Sequence, residues 1–389
     1  MSLVATFRGL GSYLRSDETT SDNFIFQLHY RHTIVILLIF SISITAKQHF
    51  GDPIDCIGDK EAFKHSGILD TYCWISTTYS NPDDWRKKVG TEIAYPGVAN
   101  GQHGNQSKPR VYHAYYQWVS FALYFQALLF YIPKILWKSV EADRIKNLTL
   151  GLHKQILKPE EREKKCEILS QHLFDNRRNQ ANLVYWYLLA ELLNLINVLG
   201  QMQLMHRFLG NKFWSLGINI LTEEANDDPT GFDSLMEIFP RMTKCTFHTV
   251  GPSGDIQRYD AFCLLSINNL NEKIYLIIWF WFVLLAIITL FGLLYRICSI
   301  LIPDVRIIIT QSRCALIPRE ITEHLIHELT IHDWFLLDRI GKNADGFNYK
   351  FLIETYHNKL KRAELSNENI PCEKLDNFYI SENMKDTQC

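Results

Sequence analysis

The stretch YHAYYQWVSFALYFQALLFYIPK, residues 112–134, starts with aromatic and polar side chains, continues as a long apolar run, and ends at Pro133 and Lys134. Tyrosine and tryptophan favour the boundary between water and lipid, and lysine or arginine commonly flanks the ends of a span. Gln126 is the only polar amide inside the apolar run. The pattern predicts a helix that crosses a membrane, with an aromatic belt at its first end.

Three further segments have the composition of membrane spans. HTIVILLIFSISITAK (32–47) has an apolar core that is short for the ~20 residues of a span, so a buried helix of a soluble protein is its alternative interpretation. NLVYWYLLAELLNLINVLGQMQLM (182–205) is long enough, and IYLIIWFWFVLLAIITLFGLLYR (274–296) carries no charge before Arg296. We therefore predict four spans.

The third of these spans carries a stripe of polar side chains. Glu191, Asn194, Asn197 and Gln201 fall within about a third of the helix circumference at ~100° per residue. Polar groups in hydrocarbon must face other helices or water. Two interpretations follow: hydrogen bonding between helices, which we favour, or a surface that faces a pore or cavity.

The composition excludes some classes of protein. The chain has 389 residues and a formal net charge of −2, so it has no overall basic field that would favour nucleic acid. A secretory signal begins with a short basic region, whereas the residues before the first apolar run include Asp17, Glu18 and Asp22. The first run is therefore predicted to be an uncleaved anchor.

Charge and cysteine positions orient the spans. Four spans place both termini on one side, and the connection at 138–181 is rich in lysine and arginine, which indicates the cytoplasmic side. Cys56 and Cys73 lie in the first connection, and Cys245 and Cys263 in the third, as suits disulfides in an oxidising compartment. The other five scatter singly on the opposite side: Cys166, Cys298, Cys314, Cys372 and Cys389. Both signals predict cytoplasmic termini in a plasma membrane, while the residues alone leave three pairings of the outer cysteines open.

Catalytic motifs are absent from the sequence. It contains no phosphate-binding G-x-x-x-x-G-K-[ST] loop, no dinucleotide glycine fingerprint and no G-x-S-x-G elbow. EHLIHELTIHD (323–333) places His327 and His332 five residues apart, one more than the zinc-protease spacing, so we interpret its histidines as solvated side chains of a helix. We predict that the chain is not an enzyme and has no catalytic residue, metal or cofactor.

One sequence triplet predicts a covalent modification. Asn105-Gln106-Ser107 in the first connection matches the acceptor pattern for N-glycosylation, which makes Asn105 a possible glycan site on the outer side. Asn147-Leu148-Thr149 matches as well, but it lies on the predicted cytoplasmic side and is expected to stay unmodified.

Several stretches resemble one family. Tyr115, Tyr116, Gln117, Trp118 and Val119 form YYQWV, which resembles the signature of the innexins, the gap-junction proteins of invertebrates. The other similar stretches are GDPIDC (51–56), DTYCW (70–74), FPRMTKCTFHTVGPSGDIQRYDAFC (239–263), NEKIYLIIWFW (271–281) and the tail motif DWFLLDRIGKNAD (333–345). They run from about residue 30 to 355 in family order. The resemblance is to insect members and leaves an animal or a viral origin open.

The resemblance implies an all-α membrane protein with four transmembrane helices, two disulfide-bearing extracellular loops and a helical cytoplasmic dome. The predicted segments are a cytoplasmic N-terminal segment (1–31), spans at 32–50, 115–137, 182–206 and 273–296, extracellular loops at 51–114 and 207–272, a cytoplasmic loop (138–181) and a cytoplasmic tail (297–389). Ser120 and Ser266 depart from the family pattern, which commonly has proline or cysteine at the first position and proline at the second. A proline bend at Ser120 is therefore not expected.

The resemblance also implies roles for particular residues. Family members bond one outer loop to the other, which would pair Cys56 with Cys263 and Cys73 with Cys245. Their N-terminal segment folds into the pore as a funnel. In this chain residues 1–15 would form the funnel, and its predicted pore-lining residues are Ser2, Leu3, Val4 and Arg8.

The function implied by the resemblance is that of a structural subunit of gap junctions. Such subunits form homo-oligomeric rings, here an octamer, that dock with a ring on the neighbouring cell and pass ions and small metabolites through a wide pore. The resemblance also implies heteromers with other innexins and contacts with membrane lipid, and it implies no binding of nucleic acid. The alternatives are a hemichannel that does not dock, a subunit that modulates other channels, or a four-span adhesion or scaffold protein without a pore.

Overall fold

The structure is a computed structural model that describes residues 20–58, 66–85, 87–98, 109–149, 151–153, 158–177, 182–223 and 234–367. Its helices are α1 (Phe24–Phe50), α2 (Ser66–Ser76), α3 (Val119–Glu141), α4 (Arg144–Leu148), α5 (Pro159–Asp175), α6 (Leu183–Phe208), α7 (Phe213–Glu223), α8 (Ser234–Ile238), α9 (Ser266–Leu301), α10 (Pro303–Arg313), α11 (Arg319–Glu328), α12 (Ile331–Asn343) and α13 (Gly346–Asn367). Short 3₁₀ turns cover Pro82–Asp84 and Tyr115–Gln117. The described chain is mostly helical, as predicted.

Four of these helices are long and apolar enough to cross a membrane: α1 with 27 residues, α3 with 23, α6 with 26 and α9 with 36. Each overlaps one of the four predicted apolar segments. The first and last helices begin earlier than the predicted spans, because α1 starts at Phe24 and α9 at Ser266. Although the apolar run at 32–47 is short, the extra turns make α1 as a whole long enough to span a membrane.

The start of α1 contains a π-helical turn over Leu28–Thr33. Thr33 Oγ1 donates a hydrogen bond to the carbonyl of Leu28 five residues earlier, at 2.8 Å, which matches the wider spacing of this turn. Trp281 Nε1 in turn donates to Thr33 Oγ1 at 2.9 Å, and the imidazole of His29 hydrogen-bonds Thr289 Oγ1 at 2.7 Å. The turn was not predictable from hydropathy, since most of its residues are polar.

The described residues divide into two compact units. The first contains Phe24–Lys134 and Leu192–Phe291, and the second contains residues 20–23, Ile135–Glu191 and residues 292–367. The core of the first unit is lined by large buried side chains such as Phe130, Phe239 and Phe282.

The first unit also holds a five-stranded antiparallel sheet, which the sequence pattern does not indicate. The strands are β1 (Asp55–Ile57), β2 (Thr78–Ser80), β3 (Val111–His113), β4 (Met242–Val250) and β5 (Ile256–Leu264), in the spatial order β1-β5-β4-β2-β3. Three strands come from the predicted first extracellular loop and two from the second. The two connections therefore fold together as one structure.

Helices of the second unit pack around α12. The side chains from Asp333 to Gly341 are all buried, which is unusual for a stretch that includes Asp338 and Arg339. Thr330 caps the helix, since its side chain accepts a hydrogen bond from the N–H of Asp333 at 3.3 Å.

The polar stripe of α6 bonds to neighbouring structure. In the second unit Glu191 is buried, with Oε2 3.4 Å from Arg296 Nε. In the first unit Asn197 Nδ2 donates to the carbonyl of Leu129 at 3.3 Å, and Gln201 Nε2 donates to Asn197 Oδ1 at 3.2 Å. The bonds of Glu191 and Asn197 reach other helices and favour hydrogen bonding between helices over a pore-facing stripe, whereas the bond of Gln201 stays within α6.

A close approach between α7 and α9 yields a stability prediction. A Cβ on Gly217 would clash with the indole ring of Trp279, so Gly217→Ala must displace a buried indole. We expect the substitution to lower the free energy of unfolding by roughly 1–3 kcal/mol. The control is Gly200→Ala in α6, where no atom lies within 4 Å and alanine is the better helix former. Melting temperatures that fall equally in both variants would contradict the prediction.

The buried ion pair gives a second prediction. Glu191→Leu leaves Arg296 buried without its carboxylate, which typically costs about 3–5 kcal/mol, while the double substitution Glu191→Leu with Arg296→Leu should recover part of the loss. Melting temperature and the yield of assembled oligomer measure the effect, and Glu160→Leu on the exposed face of α5 is the control. Normal assembly with an altered conductance in Glu191→Leu would support a pore-facing Glu191 instead.

Candidate functional site

Two disulfides join the segment after α1 to the segment before α9. Cys56 of β1 is bonded to Cys263 of β5, and Cys73 of α2 is bonded to Cys245 of β4. The bonded residues are 207 and 172 positions apart in sequence, and all four side chains are buried. This is the pairing that the family resemblance implied. We call the region formed by β1–β5 and α2 the cap.

The long hairpin of β4 and β5 is the centre of the cap. Its register pairs Cys245 with Ala261 and Thr243 with Cys263, so the two disulfide cysteines lie close together on adjacent strands. The turn closes with a hydrogen bond from the N–H of Gly251 to the carbonyl of Asp255 at 2.8 Å. The hairpin carries both disulfides and thereby holds β1 and α2 in place.

Polar contacts fix the first segment against the hairpin. The N–H of Cys56 donates to Asp70 Oδ1 at 2.7 Å, which ties β1 to α2. Burial raises the pKa of the Asp70 carboxyl, in opposition to that hydrogen bond. Tyr72 of α2 contacts the ring of Phe247 edge-on, with centroids 4.6 Å apart. The helix is therefore bound to the sheet by more than its disulfide.

The YYQWV motif lies at the base of the cap. Tyr116 is fully buried with its ring 4.9 Å from that of Trp74, and Gln117 Nε2 donates to the carbonyl of Trp74. Tyr115 contacts Phe239 with ring centroids 6.0 Å apart. Trp118, which follows the 3₁₀ turn, is exposed. Val119 is buried at the start of α3. The motif thus anchors α2 and the cap to the top of α3.

The first turns of α9 bond to the residues that precede strands β1 and β4 of the cap. Asn268 Nδ2 donates to the carbonyl of Pro240 at 2.8 Å, and Ser266 Oγ donates to the carbonyl of Asp52 at 2.5 Å. Glu272 is buried and accepts from Arg241 at 2.8 Å. Ser266 therefore uses its hydroxyl to join α9 to the segment after α1.

Exposed apolar side chains stand at the end of the hairpin. Val250 and Ile256 are the last cross-strand pair before the turn, and they are 71% and 73% exposed. Ile57 at the end of β1 is exposed as well. Apolar side chains at the tip of a hairpin can pack against another protein surface, although isolated exposed apolar residues are common.

His113 lies inside the cap on β3. Its Nε2 hydrogen-bonds Ser80 Oγ of β2 at 2.7 Å. Burial, and secondly the positive charge of Lys212, lowers the pKa of His113 to about 4. The imidazole is therefore neutral at physiological pH and acts as a fixed part of the sheet.

The remaining predicted sites fall in several places. Ser2, Leu3, Val4, Arg8 and Asn105 lie outside the described residues, as do Cys372 and Cys389. Cys166 and Cys314 are buried free thiols, and Cys298 is an exposed one. His324 Nε2 lies 3.4 Å from Glu364, a partner in α13 that the sequence motif did not include.

Metal binding is not indicated by the described residues. Among them, the one group of three or more His, Cys, Asp or Glu side chains with converging ligand atoms is Cys56, Cys73 and Cys263. All three sulfurs belong to disulfides.

Four helices of membrane-spanning length and a cap clamped by two disulfides define a four-span membrane protein. The family model described as Innexin matches residues 22–360. The chain therefore belongs to the innexin family, whose members are gap-junction channel subunits.

Curated relatives cover nearly the whole chain. Innexin inx2 of Schistocerca americana is 39% identical over 92% of this chain and 99% of its own length. Innexin shaking-B of Drosophila melanogaster is 39% identical over 92% of this chain and 95% of its own. Innexin inx2 of Drosophila melanogaster is 37% identical over 92% of this chain and 97% of its own.

The buried imidazole of His113 predicts an acid-sensitive cap. Because the pKa is lowered from 6.5 to about 4, the stability it contributes is fully present above pH 6.5 and is lost as the pH falls to 4. The loss should reach up to about 3 kcal/mol. The melting temperature of the purified protein between pH 7 and pH 4.5 measures it. We expect His113→Gln to lose less stability on acidification than the wild type.

His248→Gln, at an exposed position of β4, is the matched control and should respond to acid as the wild type does. An acid response that is identical in the wild type and in His113→Gln would refute the assignment to His113.

Proposed function

We propose that this chain assembles into a ring that forms a wide channel through the plasma membrane and docks, through its cap, with a ring on the neighbouring cell. The channel passes ions and small metabolites. The single observation that carries the proposal is the clamped cap, in which two disulfides bond residues that lie 207 and 172 positions apart in sequence. Membership of the innexin family supports the same function.

The rigidity of the cap supports docking. A surface that must meet another surface loses less conformational entropy on binding when it is already ordered. The disulfides, the nine-residue strands of the hairpin and the hydrogen bond from Cys56 to Asp70 all restrict the cap before any partner arrives. The exposed pair Val250 and Ile256 supplies apolar surface that an opposite cap would remove from water.

The distribution of cysteines supports cytoplasmic termini. The four cysteines of the cap form disulfides, whereas the described cysteines outside it are free thiols. Disulfides persist in oxidising surroundings, and the cytosol keeps thiols reduced. We infer from this distribution that the cap lies outside the cell and that both termini lie inside.

The ring and the pore complete the proposal. By resemblance the ring is an octamer of identical subunits, able to admit other innexins, with membrane lipid around it. Residues 1–15 form a funnel in the pore, where Ser2, Leu3, Val4 and Arg8 face the permeant ions. The predicted spans contain no ring of backbone carbonyls or charged side chains resembling a tight selectivity filter, so permeation is wide and weakly selective.

Paired cells that express only this chain test the proposal. Electrical coupling together with transfer of a small dye between the cells is the expected result. Dye uptake by single cells in low external calcium, without coupling, would indicate a hemichannel that does not dock. Cell clustering with neither current nor dye transfer would overturn the channel function and leave an adhesion protein.

The clamp predicts that single cysteine substitutions abolish docking. Loss of a disulfide commonly costs a few kcal/mol, so Cys73→Ser or Cys245→Ser should loosen the cap and eliminate coupling while the protein is still made. Junctional conductance and the amount of protein at the cell surface are the measurements. Cys298→Ser, which changes a free thiol, should keep normal coupling. Normal coupling in both cap variants would count against a clamped docking surface.

A further inference from the structure

Four consecutive residues before α1 are held by side chains of the second unit. We call Thr20–Asn23 the strap. It connects residues 1–19, which lie outside the described residues, to the start of the first membrane-spanning helix. Every one of its residues takes part in a hydrogen bond with a side chain more than 100 positions away in sequence.

Asn343 at the end of α12 binds the first residue of the strap. Its Oδ1 accepts a hydrogen bond from the N–H of Thr20 at 2.7 Å, and its Nδ2 donates to the carbonyl of Thr20 at 2.9 Å. The side-chain amide therefore bonds both the N–H and the carbonyl of Thr20, as the backbone of a neighbouring β-strand would. Nδ2 also donates to the carbonyl of Arg339 at 2.8 Å, which fixes the orientation of the amide.

The remaining strap residues are held from three helices. Lys342 Nζ of α12 donates to the carbonyl of Asp22 at 2.5 Å. Trp137 Nε1 of α3 donates to Ser21 Oγ at 3.1 Å. Asn23 Nδ2 donates to Glu191 Oε1 of α6 at 2.8 Å. Contacts from separate elements define one position for the strap.

The groups that hold the strap are themselves fixed. Arg296 and Arg339 both lie over the ring of Tyr187, with guanidinium carbons 5.2 and 5.5 Å from its centroid. Asp338 bonds Arg339 at 2.8 Å and Arg313 at 3.1 Å. Burial would raise the pKa of Asp338, but Arg339 and Arg313 hold it below its ordinary value. A buried cluster of paired charges and aromatic rings therefore supports α12.

The strap directly follows residues 1–19, so its contacts determine where that segment is tethered. With Thr20 bound, the N-terminal segment starts from a fixed point. If the strap were released, the segment would start from Phe24, and its tether would lengthen by four residues, or roughly 13 Å. Lys342 and Asn343 lie in DWFLLDRIGKNAD, the tail motif that membrane spanning and docking leave unexplained.

We propose that Asn343 and Lys342 are positioning residues of the channel, which hold the strap against α12 and so fix the point from which the N-terminal segment enters the pore. The inference rests on the proposed function, because it takes residues 1–15 to line the pore. The position of the tail helix α12 and the state of the pore entrance are thereby coupled.

The test compares Asn343→Ala and Lys342→Met with matched controls in paired cells. A net hydrogen bond is worth about a fivefold change in an equilibrium, so each variant should shift the ratio of closed to open channels by at least about fivefold. Asn343→Gln should restore part of the wild-type behaviour. Asn176→Ala at the exposed end of α5 and Lys350→Met in α13 remove the same side-chain types elsewhere and should leave the ratio unchanged.

A reversible cross-link keeps the test decisive if the single variants fail to reach the surface. In Thr20→Cys with Asn343→Cys, an oxidant such as copper phenanthroline in the recording pipette should tie the strap to α12. We expect oxidation to return the gating ratio to the wild-type value, and a reductant to reverse the change. The two single-cysteine variants control for the natural cysteines.

The outcomes separate this inference from the proposed function. If wild-type pairs show no coupling, the proposed function fails. If wild-type pairs couple but both substitutions reach the surface with unchanged gating, the positioning role is wrong. If neither substitution reaches the surface, the cross-linked variant decides: an unchanged gating ratio after oxidation of Thr20→Cys with Asn343→Cys would also show that the positioning role is wrong.

Discussion

The structure depends on a covalent constraint, the two disulfides that tie the segment after the first span to the segment before the last. Joining residues 207 positions apart removes about 5 kcal/mol of chain entropy from the unfolded state in the loop-closure model. The second bond, over 172 residues, constrains much of the same chain, so its effect does not simply add. The two disulfides keep segments that are far apart in sequence close together, so that their strands can form one sheet.

Hydrocarbon imposes a different constraint on the long helices. A polar side chain in a span needs a partner within the protein, because lipid offers none. The first helix meets this demand with Thr33, His29 and Ser41, whose partners are Trp281, Thr289 and the carbonyl of Ser120. Other span residues do not meet it: Gln126 is buried and neither atom of its amide has a hydrogen-bond partner within the described chain, and Asn194 Oδ1 of α6 is likewise buried without one.

The second unit shows how a tail can matter to a channel. Its helix α12 is buried along most of its length although it carries an aspartate and an arginine side by side, and the charges are compensated by Arg313 and by the ring of Tyr187. Such a cluster is costly to rearrange, because a broken pair leaves a desolvated charge. It is therefore suited to hold the short strap that leads from the N-terminal segment into the first span.

Sequence alone determined the four spans, because about twenty apolar residues bounded by aromatic and basic side chains have few other stable solutions. The residues also assigned Cys56, Cys73, Cys245 and Cys263 to the oxidising side, although they left the pairing open and only resemblance to a family implied it. Tertiary structure decided the rest. Strands of three residues such as β1 carry too short a pattern to recognise, and they exist because the long hairpin offers them an edge. The partner of Glu191 lies 105 positions away, and that of Thr20 lies 323 away. Hydropathy is local and can be read along the chain, whereas contacts between distant residues exist only once the chain has folded.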